Sequence, residues 1–373
     1  MYSKVIIAKN PEIGTCFAKF LSAYFEALLT FCGRATWTNL GRYGDYSERT
    51  FRRYAGTTFC FAKLNLSLLK DLQPTILAID ATTIGKAGTT TWGLGKFWSS
   101  CDGRVIAGIE YSCLALINPD RPGAFHLSAA QTPPQGNRMD FYVNQLKQAP
   151  LPQTVNYVVA DGYYAKIKFC KAVLGKNLHL ITRLRKDAQL HHLPPPKTGK
   201  RGRPRLKGDR IAPNDFTQCL ILDDGTQLRS QLVWVQAFKQ VCLVVAVRRS
   251  EKMACLLVST DLTQAPEDVF RFYKARFQHE LLFRDAKQHT GLGHCQARNQ
   301  AALGFHANAS LTTVNLARLD APADAPFSLA SSKRLNLNRR IARMIFRQLK
   351  LNPDDLDNQD NLRAPFPMGV IAP

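Results

Sequence analysis

Two short apolar runs, each carrying an aspartate, constrain this 373-residue chain more than any other feature. PTILAIDATT starts at Pro74 and reaches Asp80, and VNYVVAD starts at Val155 and ends on Asp161. Runs of this length and β-branched content, bounded by turn residues, read as buried strands. Between them, TTWGLGKFWSS and RVIAGIEYSCLALIN, separated by turn residues 101–103, read as an antiparallel pair. A helix is predicted over 139–147, a second over YAKIKFCKAVL after Asp161, and a further strand over HLITRLR. A mixed α/β sheet follows, its first aspartate-bearing run ending at Asp80, with both aspartates near strand ends or edges, where open α/β sheets place their ligands.

Outside this core the pattern changes. Residues 1–72 carry aromatic and aliphatic side chains at helical spacing, as in CFAKFLSAYFEALLTF, and form a predicted helical DNA-binding region. Within it, Ser47 is positioned as the N-cap of a helix that brings Arg49, Arg52 and Arg53 onto neighbouring parts of one surface. Residues 36–55 fit a helix-turn-helix whose second helix meets DNA, and they fit a solvated basic helix equally well. The core is read as 73–186 and 261–350, the latter with C-terminal helices. The intervening 187–260 alternates apolar runs (QLVWVQAF, VCLVVAVRR, MACLLVSTD) and reads as a basic loop followed by a β-rich insertion. Residues 351–373, rich in Asp, Asn and Pro, read as a tail.

The charge narrows the partners. Fifty Lys and Arg against 28 Asp and Glu leave a formal net charge of +22, while 45% hydrophobic residues supply a core and exclude disorder as the main state. Residues 183–210 hold ten Lys or Arg and two Asp, more than a third of that surplus. Within them KRGRPRLKG places Arg201, Arg203 and Arg205 around a Gly-Arg-Pro core. It resembles an AT-hook laid into a narrow minor groove, and it fits equally a basic loop that grips phosphates without reading shape. Apolar stretches such as 20–32, interrupted by Glu26, are too short to span a bilayer, and the N-terminus shows no secretory pattern. A cytoplasmic, nucleoid-associated protein with no membrane contact is expected. The ten cysteines include no C-x-x-C or Cys/His zinc spacing and are read as reduced, mostly core-filling thiols.

The chemistry gathers in the helical stretch after Pro266. Tyr273, Arg276, Glu280 and Lys287 fall, at 100° per residue, on a stripe about 60° wide, with Phe272, Ala275, Leu282, Phe283 and Ala286 forming an apolar face elsewhere. By itself, Arg276 with Glu280 reads as an i, i+4 ion pair on a wet surface. With seven glutamates in the chain, however, this Y-x2-R-x3-E-x6-K spacing arises by chance roughly once in a thousand such sequences. Two strand aspartates plus a helical glutamate are the hard oxygen donors that two divalent ions, about 3.5 to 4 Å apart, require for phosphoryl transfer.

At this point the sequence resembles a known family. The YREK signature, Asp80 in LAIDATT, Asp161 in VVADGYY and the run LVSTDLTQAPEDVFRFYKARFQHELLFRDAKQHTGL are similar to the cut-and-paste DDE transposases of bacterial insertion sequences. The resemblance covers about 74–318. It implies an RNase H-like fold with a β-rich insertion between the second Asp and the Glu. It also implies Asp80, Asp161 and Glu280 as catalytic metal ligands for two Mg²⁺ or Mn²⁺ ions. Tyr273, Arg276 and Lys287 would contact phosphates of the transposon ends. The partners it implies are double-stranded DNA, as transposon ends and target, and a second copy of the chain in a synaptic homodimer. The family usually carries Trp after the motif Arg; Phe277 stands there and is read as a packing substitution. In some relatives an aromatic residue of the insertion stacks on a flipped base. Trp234 is the candidate, but a strand Trp flanked by apolar residues is read as core.

The remaining residues receive plainer readings. Glu110 is expected to face outward from its strand rather than to serve as an added metal ligand. Asp285 is expected to point away from Glu280, and His279 and His294 to be structural or phosphate contacts. Thr82, Thr83 and Lys86, just after the first Asp, are candidates for touching the scissile strand, and they fit equally a common short polar loop. Rival functions are a nuclease without strand transfer, a non-catalytic DNA-binding descendant of a transposase, and a basic α/β protein whose acids are structural.

Overall fold

In the computed structural model, the described residues are 7, 13–99, 103–195, 205–249, 252–321 and 327–352. Four helices open them: α1 (Thr15–Thr30), α2 (Trp37–Tyr43), α3 (Glu48–Ala55) and α4 (Phe61–Leu68). Their aromatic residues interleave, with Phe20 stacked at 4.3 Å on Tyr54 and at 5.8 Å on Tyr24. Helices α2 and α3 pack together across the turn before Ser47, so the helix–turn–helix arrangement is present. Ser47 occupies the N-cap position but makes no capping bond to the backbone. Thr36 does cap α2, accepting from the Asn39 N–H at 3.3 Å.

Among the described residues eleven strands form one sheet. β1 (Ile76–Gly85) is paired antiparallel with β3 (Arg104–Ile117) and parallel with β5 (Tyr157–Ala160), which in turn runs parallel to β6 (His179–Leu184). β2 (Gly95–Ser99) and β4 (Ala124–Gln131) both pair with β3. The order β4-β3-β1-β5-β6 is an RNase H-like mixed sheet, as the resemblance implies. Strand β1 does not end at Asp80 but continues to Gly85, because its partner β3 is long enough to keep pairing as far as Gly108. Asp80 therefore sits in mid-strand opposite Cys113.

The strands of the predicted insertion continue this sheet. β7 (Leu190–His191), β8 (Gln218–Ile221), β9 (Gln227–Val235), β10 (Gln240–Arg249) and β11 (Lys252–Ser259) join it through the antiparallel pairing of β11 with β6. Helices α5 (Arg138–Gln148) and α6 (Ile167–Leu174) pack against each other, and α6 also packs on β6. α7 (Pro266–Ala275) and α8 (Phe277–Asp285) run on into a π-helical turn over Ala286–Thr290. α9 (Gln300–Leu319) lies against β4, and α10 (Leu329–Gln348) packs on α1.

Among the described residues no helix is long and apolar enough to cross a membrane. The described cysteines are free; Cys113, Cys170, Cys242 and Cys295 are buried, whereas Cys16, Cys32, Cys60 and Cys219 are exposed. Core filling thus describes only about half of them. Arg201 and Arg203, Cys101, and residues 353–373 of the tail lie outside the described residues.

Candidate active site

The parallel pairing of β1 with β5 sets Ile79 beside Ala160, so Asp80 and Asp161 leave neighbouring strands at the same level. The β5 ladder stops at Ala160, and Asp161 turns into a single 3-10 turn over Gly162–Tyr164, its Oδ1 accepting from the Tyr163 N–H at 2.9 Å. Thr182 of β6 fastens the same corner, its hydroxyl donating to the Asp161 carbonyl at 2.7 Å. Sequence reading missed Thr182, whose only signal was a hydroxyl inside an apolar strand.

The third acid arrives on a broken helix. Arg276 separates α7 from α8; its N–H donates to the Tyr273 carbonyl and its carbonyl accepts from the His279 N–H, three-residue spacings that tighten the turn. The angular stripe is therefore not that of one regular helix, since a tight turn lies at Arg276 and Lys287 falls in the π-helical turn. The stripe nevertheless delivers its key residues together. Arg276 Nη1 donates to Asp80 Oδ2 at 3.1 Å, and Nη2 donates to Glu280 Oε1 at 2.7 Å. Its guanidinium also lies 5.7 Å from the centre of the Tyr273 ring.

The electrostatics show that the three acids share one neighbourhood. Burial above all pushes the Asp80 carboxyl up to about 6; Arg276 opposes this, and Asp161 and Glu280 add to it. Asp161 is also raised, by burial first, against its bond from Tyr163 and the charge of Arg276, and with Glu280 pushing the same way. Burial and then Asp80 raise the thiol of Cys113, the residue opposite Asp80, and the charge of Lys287 opposes them. Tyr273, Arg276, Glu280 and Lys287 are all half-buried.

Carboxylates that penalise one another's ionisation call for a cation, and three hard oxygen donors with no thiolate among them suit Mg²⁺ or Mn²⁺. Among the described residues no three His, Cys, Asp or Glu side chains already stand close enough to hold an ion, and the ground between Asp80 and Glu280 is held by Arg276. The donor chemistry fits such ions; the spacing does so only with the guanidinium displaced.

A family profile described as Transposase DDE domain matches residues 71–316, about two thirds of the chain. The chain belongs to the DDE transposase domain family. A comparison with curated proteins returns no match. The transposase domain so defined begins just before β1, ends within α9 and includes all three acids together with the strands of the insertion.

Several plainer readings are corrected within this domain. Glu110 does not face outward: it is 7% exposed, accepts from the Tyr142 hydroxyl at 2.7 Å and lies 3.6 Å from Arg138. Its partner across the ladder is Thr83, an odd number of positions from Asp80, so strand alternation turns it to the other face of the sheet. Phe277 is not a packing residue but is 54% exposed, at the break between the two helices. Trp234 is only half-buried: Val233 and Val235 face the core, and it faces the other way. It lines an open groove of about 990 Å³ with His191, Arg205, Lys207, Arg210 and Lys239. Lys86 is held by the carbonyls of Gly293 and Cys295, and Thr82 is buried.

Other expectations hold. Asp285 turns away from Glu280 to pair with Arg284 at 2.9 Å and Arg318 at 3.5 Å. His279 is buried against Phe283 and held neutral by burial, its pKa lowered to about 3. His294 accepts from the Ala35 N–H at 3.1 Å, a structural role. Arg49, Arg52 and Arg53 are all exposed on α3, with Arg52 on Glu48 and Arg53 over the Tyr54 ring at 4.8 Å.

Proposed function

We propose that this protein is a DNA transposase that binds the terminal inverted repeats of its element and cuts and rejoins DNA strands at the Asp80–Asp161–Glu280 site. The observation that carries the reading is that Arg276 binds both Asp80 and Glu280 while Asp161 leaves the strand next to that of Asp80, within a transposase-family sheet. Asp80, Asp161 and Glu280 would hold two Mg²⁺ or Mn²⁺ ions. When bound, such ions activate water or a 3′-hydroxyl and stabilise the leaving oxygen.

The chain's own residues supply the rest. Asp161, held by Tyr163 and Thr182, and Asp80, held at Oδ1 by the Ala81 N–H at 2.8 Å, are fixed before substrate arrives. Arg276 offers a planar fork suited to a phosphate, with Tyr273 beneath it and Lys287 nearby. The exposed Arg49, Arg52 and Arg53 of the helix–turn–helix, and Arg205 with the basic stretch around Arg201 and Arg203, would follow the DNA backbone. Trp234, unburied on one side within the same cationic groove as Arg205, suits stacking on an unpaired base. Pairing of two copies on two DNA ends belongs to this reading.

The test is product analysis. Incubation of the protein with Mg²⁺ and a duplex carrying the element's ends is expected to give cleaved ends and then joined products. Cleavage without joining would favour a nuclease of the same fold, and DNA binding without either would favour a non-catalytic descendant.

A further inference from the structure

We propose that Arg276 is an exchangeable internal cation that keeps the acidic site closed to metal ions until a DNA phosphate draws it away. The inference rests on the function proposed above and adds an order of assembly to it, DNA first and ions second. One guanidinium bridges Asp80 Oδ2 and Glu280 Oε1, oxygens of two carboxylates that the metal reading also requires. A small divalent ion would have to approach these carboxylates closely, and a cationic guanidinium already bound to them opposes it by charge and by space.

The arginine is also built to let go. Its Nε is buried without a hydrogen-bond partner, so its present seat leaves one donor unused, whereas a phosphate can take two parallel bonds from the fork. It stands at the break between α7 and α8, where the helix is already tightened. Tyr273 lies beside it and offers its ring face to the guanidinium. Once Arg276 turns to phosphate, Asp80, Asp161 and Glu280 lose the cation they share and attract divalent ions more strongly. Linkage makes the converse true: bound ions must favour DNA.

The experiment is calorimetric titration of the full chain with Mn²⁺ alone, then with duplex DNA of arbitrary sequence present, since backbone phosphates suffice to engage basic side chains. Arg276→Gln is expected to bind Mn²⁺ about tenfold or more tightly than the wild type without DNA, and to show a much smaller gain on adding DNA. Arg276→Lys, whose compact ammonium on a shorter reach lacks the planar fork that spans the two carboxylates, should tighten binding by a few-fold, and it carries the test if melting in chelator shows the Gln variant unfolded. Unchanged or weaker Mn²⁺ binding in these variants, with an undiminished DNA effect, overturns the closure. A separate result speaks to the underlying function: if, with DNA present, Asp80→Asn binds Mn²⁺ as the wild type does, the acids hold no metal and the function proposed above fails with it.

Discussion

The carboxamide of Asn315 does for His126 what a neighbouring strand would do: its Oδ1 accepts from the His126 N–H and its Nδ2 donates to the His126 carbonyl, both at 2.8 Å. Asn308, two turns earlier on α9, does the same for Ala129 at 2.8 Å in each direction. Among the described residues strand β4 pairs only with β3, so these side chains close its open edge inside the protein. Asn65 extends the network, donating to the Leu127 carbonyl and accepting from Asn315. Asn315→Ala should leave two backbone groups buried without partners and cost about 2–4 kcal/mol, with a similar loss for Asn308→Ala. Urea unfolding at neutral pH measures both. A loss below about 0.5 kcal/mol would show that the edge is satisfied in another way.

Asp80→Asn, Asp161→Asn and Glu280→Gln keep side-chain shape and remove one charge each from the acidic site. Each is expected to lower metal-dependent DNA cleavage by about 10³-fold or more while leaving DNA affinity at fixed salt within a few-fold. Gel-based cleavage and binding assays on the same preparations separate the two effects. Full cleavage in any of the three variants removes that residue from the catalytic set.

Three histidines are held neutral by burial: His126 and His279 at about 3 and His306 at about 4, against an ordinary value near 6.5. Their folded values lie below the unfolded one, so the stability they confer is present above about pH 6.5 and falls as the unfolded chain takes up protons below it. Each contributes up to about 1.4 kcal/mol per pH unit in that window. Asp80 has the opposite sign: its raised value adds stability below about pH 4 that is lost as the pH rises through about 6. Asp161, also raised by burial, acts in the same direction as Asp80, and three histidines against these two carboxyls give a net loss on acidification. The urea midpoint is expected to drop clearly between pH 7 and pH 5 at constant ionic strength, and a flat profile would contradict the neutral imidazoles.

Arg201, Arg203 and Arg205 carry charge in the stretch that holds more than a third of the chain's surplus. Replacing all three by Gln should reduce the slope of log affinity against log salt by about 2.7 if each meets a phosphate, at roughly 0.9 per contact. Fluorescence anisotropy across a salt series reads the slope. An unchanged slope would place DNA elsewhere on the surface.

Much of this protein is determined by its sequence. The apolar runs at Asp80 and Asp161, the hairpin between them, the helices near 139–147 and 167–174, and the strand at 179–184 are all found close to where local pattern puts them, because burial on both faces leaves a sheet strand little else to be. The i, i+4 spacing of Arg276 and Glu280 was legible too, since one helix turn suffices to bring them together.

Tertiary structure decided what periodicity cannot express. Strand register put Glu110 on the far face and extended β1 past Asp80, because pairing with a long partner strand outweighs a local change in hydrophobicity. Neither Phe277's exposure nor the breaks at Arg276 and at Ala286–Thr290 follow from an ideal helix of 100° per residue. The Arg276–Asp80 bond spans 196 positions, and Asn315 meets His126 across 189. Contacts of such separation are set by how whole layers pack, so a sequence can name the residues able to make them, and only the folded chain brings them together.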